Sequence, residues 1–354
     1  MAKNDNLTDF LQNIADTIRA KRGITGPISA QNFAAEIAAI EGGGTSTPDM
    51  PVIGDGKTYL YIKIAAEGRM TVPLCFSQTK ANGVAIDWGD GSATQTLSGT
   101  GSKNTTHKYA SIGDYCITLS VAVGCTLGLG SKSSSYCVLG ITSNNGRVYC
   151  NMLQRVEIGS GVTSIDTYAF SNCYSLASVV IPNSVTSINS YAFSNCYSLA
   201  SVVIPNSVTS IGGYAFSNCY SLASVVIPNS VTKFYSHTFY NCYSLASVVI
   251  PNSVPSIESQ MFQNCYSLAS VVIPNSVTKI FNHTFNSCYG MAFYDFSALT
   301  AVPSLSATNA FSSIPSDCKI IVPDALYDEW IAATNWSTYA SQTIKKSEWD
   351  ALNA

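Results

Sequence analysis

Cysteine and histidine are the residues here whose type and spacing could do chemistry. Six of the twelve cysteines, at 173, 196, 219, 242, 265 and 288, recur every 23 residues. Constant spacing puts one thiol at the same inward position of each turn of a repeating fold, as a stack. Turns about 4.8 Å apart do not forbid a disulfide. Parallel Cβ vectors in an apolar site nevertheless favour free, buried thiols. The other six, Cys75, Cys116, Cys125, Cys137, Cys150 and Cys318, include no C-x-x-C pair. Zinc is therefore not expected, and one disulfide among them stays open. The three histidines, His107, His237 and His283, lie in no G-x-S-x-G or H-E-x-x-H context. His237 and His283 stand two repeats apart, about 10 Å if stacked, too far to share a metal. Carboxylates that could pair for glycoside cleavage are scarce, since the repeats hold only Asp166, Glu258 and Asp295. The expectation is a non-enzymatic protein with no cofactor and no metal.

What positions these residues is a repeat. The string NCYSLASVVIPNSV occurs five times without change, at 172–185, 195–208, 218–231, 241–254 and 264–277. A period of roughly 20–29 residues with Leu-x-x-Val-x-Ile at its centre is the pattern of a leucine-rich-repeat solenoid. In the second unit Leu199, Val202 and Ile204 should point inward along a short strand, because alternate strand residues share a face. Pro205-Asn206 turns the chain, Val208 and Ile211 re-enter the core, and Phe216 and Cys219 close the circuit. Only stacking against neighbours buries such positions, so both ends need caps.

Two surfaces of the solenoid could bind. The outward strand positions form a valine stripe, Val180, Val203, Val226, Val249 and Val272, expected to run about 20 Å across five strands. An exposed apolar stripe marks an interaction site, or a face covered by a neighbouring chain. The second surface is a window where the copies differ, flanking the constant Phe. Its later members are Tyr235, His237 and Tyr240, then Gln260 and Gln263, then Phe281 and His283. Tyr, Phe and His make good contacts at small entropic cost, and neutral drift at exposed positions is the competing reading. The tyrosine column 174, 197, 220, 243, 266 and 289 could stack sugars, but reads first as mutual packing along the coil edge. Asn172 and its equivalents should bond backbone groups between coils.

Composition narrows the function. Charged residues are 11% of the 354-residue chain, against about 25% in an ordinary globular protein. Between positions 161 and 297 the charges are Asp166, Lys233, Glu258, Lys279 and Asp295. No cationic track could follow phosphates, so nucleic acid is not an expected partner. No apolar run is long enough to insert in a membrane. The N-terminus shows no signal-peptide h-region and the C-terminus no anchor motif, so if the protein works outside a cell it is expected to leave by lysis or by riding on a particle.

Residues 1–41 read as a helical hairpin. Leu7, Phe10, Leu11, Ile14, Ala15 and Ile18 fall at helical spacing, and Phe33, Ile37 and Ile40 form a second apolar face. Two short helices bury too little to stand alone, so the hairpin should attach or oligomerise. Residues 42–50 are a Gly/Ser/Thr linker. Strands at 58–65 and 69–76, turn chemistry at Gly89-Asp90-Gly91 and a strand near 115–121 suggest a small β-sandwich over 51–123. Asp87, Asp90 and His107 there resemble a metal or acid–base group, but better suit ties across a turn. A Gly/Ser-rich bridge, 124–155, leads to the solenoid at 156–322. A cap follows at 323–354, with a helix from Pro323-Asp324 to about Ala333.

Three stretches resemble known families. The runs IDWGDGS, H-x-Y and GDYCITLSV look like a polycystic-kidney-disease (PKD) domain, an immunoglobulin-like sandwich, which implies a spacer or adhesive module. The unit S-V-T-S-I-x-x-x-A-F-x-N-C-x-S-L-x-x-V-x-I-P-N, with the ending IIVPDALYDEWIAATNWSTYASQ, resembles the BspA-type leucine-rich repeat over about 155–345. That resemblance implies an adhesin of a cell surface or a phage, with no catalytic residues to carry over. The start, NLTDFLQNIADTIRAKRG and ISAQNFAAEIAAI, is similar to leader segments of phage and prophage tail proteins. The expectation is thus a mainly β chain with minor α. It would be a phage tail-associated receptor-binding protein, presenting its repeats to a host-cell surface protein or glycan and joined to other virion proteins through 1–41. A self-associating fibre or decoration subunit, or a bacterial cell-surface adhesin, are the alternatives.

Overall fold

Every coil of the repeat is built from two short strands and two left-handed corners. A computed structural model describes residues 55–130, 137–140 and 150–353. The N-terminal hairpin and linker lie outside these residues. The strands of the first part are β1 (Thr58–Ile64), β2 (Thr71–Gln78), β3 (Val84–Asp87), β4 (Gln95–Thr96), β5 (Gly101–Lys108), β6 (Gly113–Val121), β7 (Leu127–Leu129) and β8 (Leu153–Glu157). From β9 (Val162–Ile165) onward, strands alternate between two faces of the solenoid. One face carries β10 (Ser178–Val180), β12 (Ser201–Val203), β14 (Ser224–Val226), β16 (Ser247–Val248), β18 (Ser270–Val272), β20 (Phe293–Asp295) and β22 (Lys319–Val322). The other carries β9, β11 (Ser187–Ile188), β13 (Ser210–Ile211), β15 (Lys233–Phe234), β17 (Ser256–Ile257), β19 (Lys279–Ile280) and β21 (Ser304–Leu305).

Leu199, Val202, Ile204, Val208, Ile211, Phe216 and Cys219 are all buried, as the alternation requires. Copies of one residue then meet their own kind in the next coil. The phenylalanines stack with ring centroids 5.2 Å apart from Phe170 through Phe216, and 5.5 Å apart between Phe216 and Phe239. From Cys196 to Cys288 each thiol donates to a carbonyl of the preceding coil, as from Cys196 Sγ to Phe170 O at 3.2 Å. The column from Cys173 to Cys288 is free and buried. Burial pushes the Cys219 and Cys288 thiols up to about 12, which keeps them protonated and inert. The serine of each Pro-Asn-Ser-Val run closes another gap, as from Ser230 Oγ to Val208 O at 2.8 Å.

The asparagine column differs from expectation in its partners. Asn218 Nδ2 donates to Asn195 Oδ1 at 2.7 Å, and Asn241 Nδ2 to Asn218 Oδ1 at 2.7 Å. The side chains bond each other rather than backbone, because each asparagine sits in the left-handed region, with φ of 59° at both Asn218 and Asn241. This corner stacks amide on amide at the coil spacing, and asparagine tolerates it better than most residues.

The solenoid does not begin after a separate sandwich and bridge. β1 pairs antiparallel with β6 on one side and β8 on the other, and β8 pairs parallel with β10. On the second face β2 pairs with β5 and β7, and β7 runs parallel to β9. The segment read as a bridge thus supplies strands to both sheets, and one hydrophobic core runs from Leu60 to Tyr339. An open first coil would expose a sheet edge and its apolar interior; β1, β2, β7 and β8 cover both.

At the other end, α1 (Tyr327–Ala332) follows a single 3-10 turn at Asp324–Leu326, close to the expected helix. A last parallel strand, β23 (Thr343–Lys345), and α2 (Lys346–Leu352) were not legible in the sequence. Trp330, Trp336, Phe311 and Tyr339 are buried over the final coil. Among the described residues no helix is long and apolar enough to cross a membrane.

Candidate recognition face

The second face is broken where the repeat departs from itself. In coils carrying V-T-S-I or V-T-K-F, the threonine N–H reaches the previous threonine carbonyl. Thr186 donates to Thr163, Thr209 to Thr186 and Thr232 to Thr209, at 2.9, 3.0 and 3.1 Å. The next coil reads V-P-S-I, and Pro255 has no N–H to give. Bonding resumes only with Thr278 N to Pro255 O at 2.9 Å. Accordingly β15 ends one sheet and β17 begins another. The break opens a cleft of about 360 Å³, lined by Lys233, Phe234 and Tyr235 on one coil and by Pro255, Ser256 and Glu258 on the next.

The few charges of the solenoid gather here. Lys233 and Lys279 occupy the register that Ser187, Ser210 and Ser256 hold in other coils. Lys233 Nζ lies 4.7 Å from the Tyr235 ring centroid and Lys279 Nζ 4.4 Å from that of Phe281, both cation–π distances. Glu258, between them, accepts from Ser256 Oγ at 2.7 Å. Tyr235 is 44% exposed. Charged groups, aromatic rings and a cleft on consecutive coils can hold a polar ligand with an apolar face. Sequence reading singled out Tyr235 and Phe281 and placed Glu258 in the variable window, but did not pick out Lys233, Pro255 or Lys279 as binding residues. The signal was available, as a proline where other copies have threonine and as lysines where they have serine.

The other window residues are not the freely exposed positions the sequence suggested. His237, Gln260 and His283 are half-buried, in the left-handed corner that Tyr168, Tyr191 and Tyr214 occupy in earlier coils. His237 stacks on Tyr214 at 4.2 Å, extending a column through Tyr191. Gln260 Nε2 donates to Gln263 Oε1 at 2.7 Å. His283 Nε2 lies 3.0 Å from Asn309 Nδ2. Tyr240 is also half-buried, edge-on to His237. These side chains shape the coil edge; Tyr235 is exposed beside them, and Phe281 is half-buried like them.

Burial lowers the His237 imidazole below its ordinary value, against the opposing bond from Gln260. The unfolded chain therefore takes up that proton more readily. Stability from this group is complete above the unfolded value near ~6.5 and declines as pH falls below it. His237→Tyr, which copies Tyr214, is expected to flatten the fall of the urea midpoint below neutral pH; an unchanged slope would assign it to other groups.

The valine stripe is real only in part. Val226, Val249 and Val272 are 61%, 66% and 57% exposed. Val180 and Val203 are half-buried, and Val180 lies on β10, in a different sheet from β12. The tyrosine column stacks at 4.5–4.7 Å from Tyr174 through Tyr266. Both faces of its inner rings are covered by neighbours, leaving edges rather than the open face a sugar stacks on.

Asp87, Asp90 and His107 tie a turn together. Asp87 Oδ1 accepts from Gly89 N at 2.9 Å and Asp90 Oδ1 from Ser92 N at 3.0 Å. His107 Nε2 is 2.6 Å from Asp90 Oδ2, with its ring stacked on Trp88. Burial alone would raise the Asp90 carboxyl, but the bonds from Ser92 and His107 outweigh it and hold it at about 2.

Residues 163–292 match the BspA type leucine rich repeat region in six copies. No curated protein matches the chain. Among solved structures, it is similar to the leucine rich repeat protein TpLRR of T. pallidum. The two are 32% identical over 46% of this chain and 78% of that one, with a TM-score of 0.43. It is similar also to a leucine-rich repeat protein from Bacteroides ovatus, at 27% identity over 56% of this chain and 55% of that one, TM-score 0.46. A leucine rich cell surface protein from Faecalibacterium prausnitzii is 24% identical over 55% and 64% of the respective chains, TM-score 0.29.

Proposed function

We propose that these six BspA-type leucine-rich repeats serve as a non-enzymatic recognition surface, holding a cell-surface protein or glycan against the coils around Pro255. The observation that carries this reading is convergence. Departures from an otherwise identical repeat fall on consecutive coils, and they bring together a sheet break, a cleft, exposed Tyr235 and three of the solenoid's few charges. Drift alone has no reason to place cation–aromatic pairs in the same register two coils apart. Attachment to a bacterial surface or to a virion are the two settings that suit such a protein. The virion setting rests on the resemblance of residues 1–41 to tail-protein leaders.

The test compares adsorption of the labelled chain to a panel of cells with that of a variant restored to the residues found at 186–194. That variant carries Tyr235→Asn, His237→Tyr, Tyr240→Ser, Pro255→Thr, Phe281→Asn and His283→Tyr. Its substitutions copy residues that other coils already hold, so the fold should persist. Binding is expected to weaken roughly tenfold or more. Equal binding by both chains would remove this face from the reading. A second reading, self-association, is favoured by exposed Val226, Val249 and Val272. Concentration-dependent multimers without cell binding would select it.

A further inference from the structure

We infer that Cys137, Cys150 and Cys173 form a redox-gated site for a thiophilic divalent metal ion of the zinc type, closed by a disulfide when oxidised and open when reduced. The three sulfurs lie within 4.8 Å of one another and all three residues are buried. Cys137 and Cys150 are joined as a disulfide, and Cys173, the first thiol of the column, is free. The spacing 137, 150, 173 has no C-x-x-C signature, which is why the sequence points away from a metal.

Three independently anchored stretches of backbone deliver these sulfurs. Beside Cys137, Val138 donates to Ala169 O at 2.7 Å and accepts from Cys75 N at 2.8 Å, so this segment is clamped between β2 and the first coil. Cys150 leads into β8, and Met152 O accepts from Lys63 N at 2.8 Å, next to β1. Cys173 N donates to Phe170 O at 3.2 Å within the first coil. None of these bonds depends on the disulfide, so its reduction leaves the sulfurs held near one another. A tetrahedral ion with metal–sulfur bonds of about 2.3 Å needs its sulfurs ~3.8 Å apart, so the bonded Cys137 and Cys150 sulfurs must part on reduction.

The chemistry balances. A dithiol reductant breaks the Cys137–Cys150 bond, giving two thiols, and leaves as its own disulfide. Three S–H groups then lose their protons to solvent as three sulfur–metal bonds form. Burial holds the Cys173 thiol well above its ordinary value, so the proton leaves only when metal replaces it. In either state the segment at 137–140 and the start of β8 remain cross-linked: by the disulfide when oxidised, and through the ion, with the first coil included, when reduced.

The test titrates cadmium or zinc chloride, without oxygen, into the full chain after reduction and removal of the reductant. Reduced protein is expected to bind one equivalent, with a thiolate-to-cadmium charge-transfer band and a higher melting temperature. Oxidised protein should bind none. Cys173→Ser should weaken binding at least tenfold, whereas Cys219→Ser, two coils along the column, should not. Absence of the band in reduced protein, its retention in Cys173→Ser, or equal loss in Cys219→Ser would overturn the proposal. Should Cys173→Ser not fold, cadmium-113 NMR of the native chain decides instead: three sulfur ligands support the site, and two or fewer refute it.

Discussion

Phe216→Ala is expected to cost about 3–5 kcal/mol, because it removes a buried aromatic side chain from a site that cannot collapse. Phe216 is fully buried between Phe193 and Phe239, with ring centroids 5.2 and 5.5 Å away. The coils above and below are fixed by their own ladders, including the Asn195–Asn218–Asn241 amide bonds. They cannot close over the gap. A solenoid's stability is a sum of units and nearest-neighbour interfaces. A weak interface in the middle therefore divides the array, and the variant should unfold in urea over a broader transition at a lower midpoint. An unchanged midpoint would mean that the phenylalanine column is not what holds neighbouring coils together.

The second large effect belongs to the cap. Trp336→Ala should also cost about 3–5 kcal/mol. Its indole is buried against Phe296, Phe311 and Trp330, and Nε1 donates to Pro303 O at 2.7 Å. Truncation leaves both a cavity and a carbonyl without its partner. The location changes the consequence. Loss at an end frays rather than divides, so amide hydrogen exchange should quicken first in β20, β21 and β22 while β11 and β13 keep their protection. Uniform acceleration along all the coils would show instead that the array unfolds as one unit and that the cap does not govern the end.

Much of this was legible because a repeat states its contacts many times. The inward positions Leu199, Val202, Ile204 and Phe216, the free thiol column and the helix after Pro323 follow from period and polarity alone. The exposed Val226, Val249 and Val272 follow from strand alternation. Less legible were features fixed by one coil acting on another. That an asparagine would bond its own copy depends on the left-handed corner. That His237 would lie half-buried depends on Tyr214 beneath it. The cleft needs Pro255 to meet the Thr232 carbonyl of the coil before, a neighbour 23 positions away in the chain.

The sequence by itself determined the kind of molecule: a low-charge, mainly β solenoid of 23-residue coils with a free thiol at each turn. It did so because a fixed period can bury its apolar residues in only one way, by stacking on itself. Tertiary structure alone decided how the first coil is covered, which sulfurs meet and where the surface opens. Residues 60, 156 and 179 become neighbours only when β1, β8 and β10 pair. Cys173 reaches Cys137 and Cys150 only across that junction. Such contacts depend on strand pairing between distant segments, which hydrophobic periodicity, a local property, does not encode.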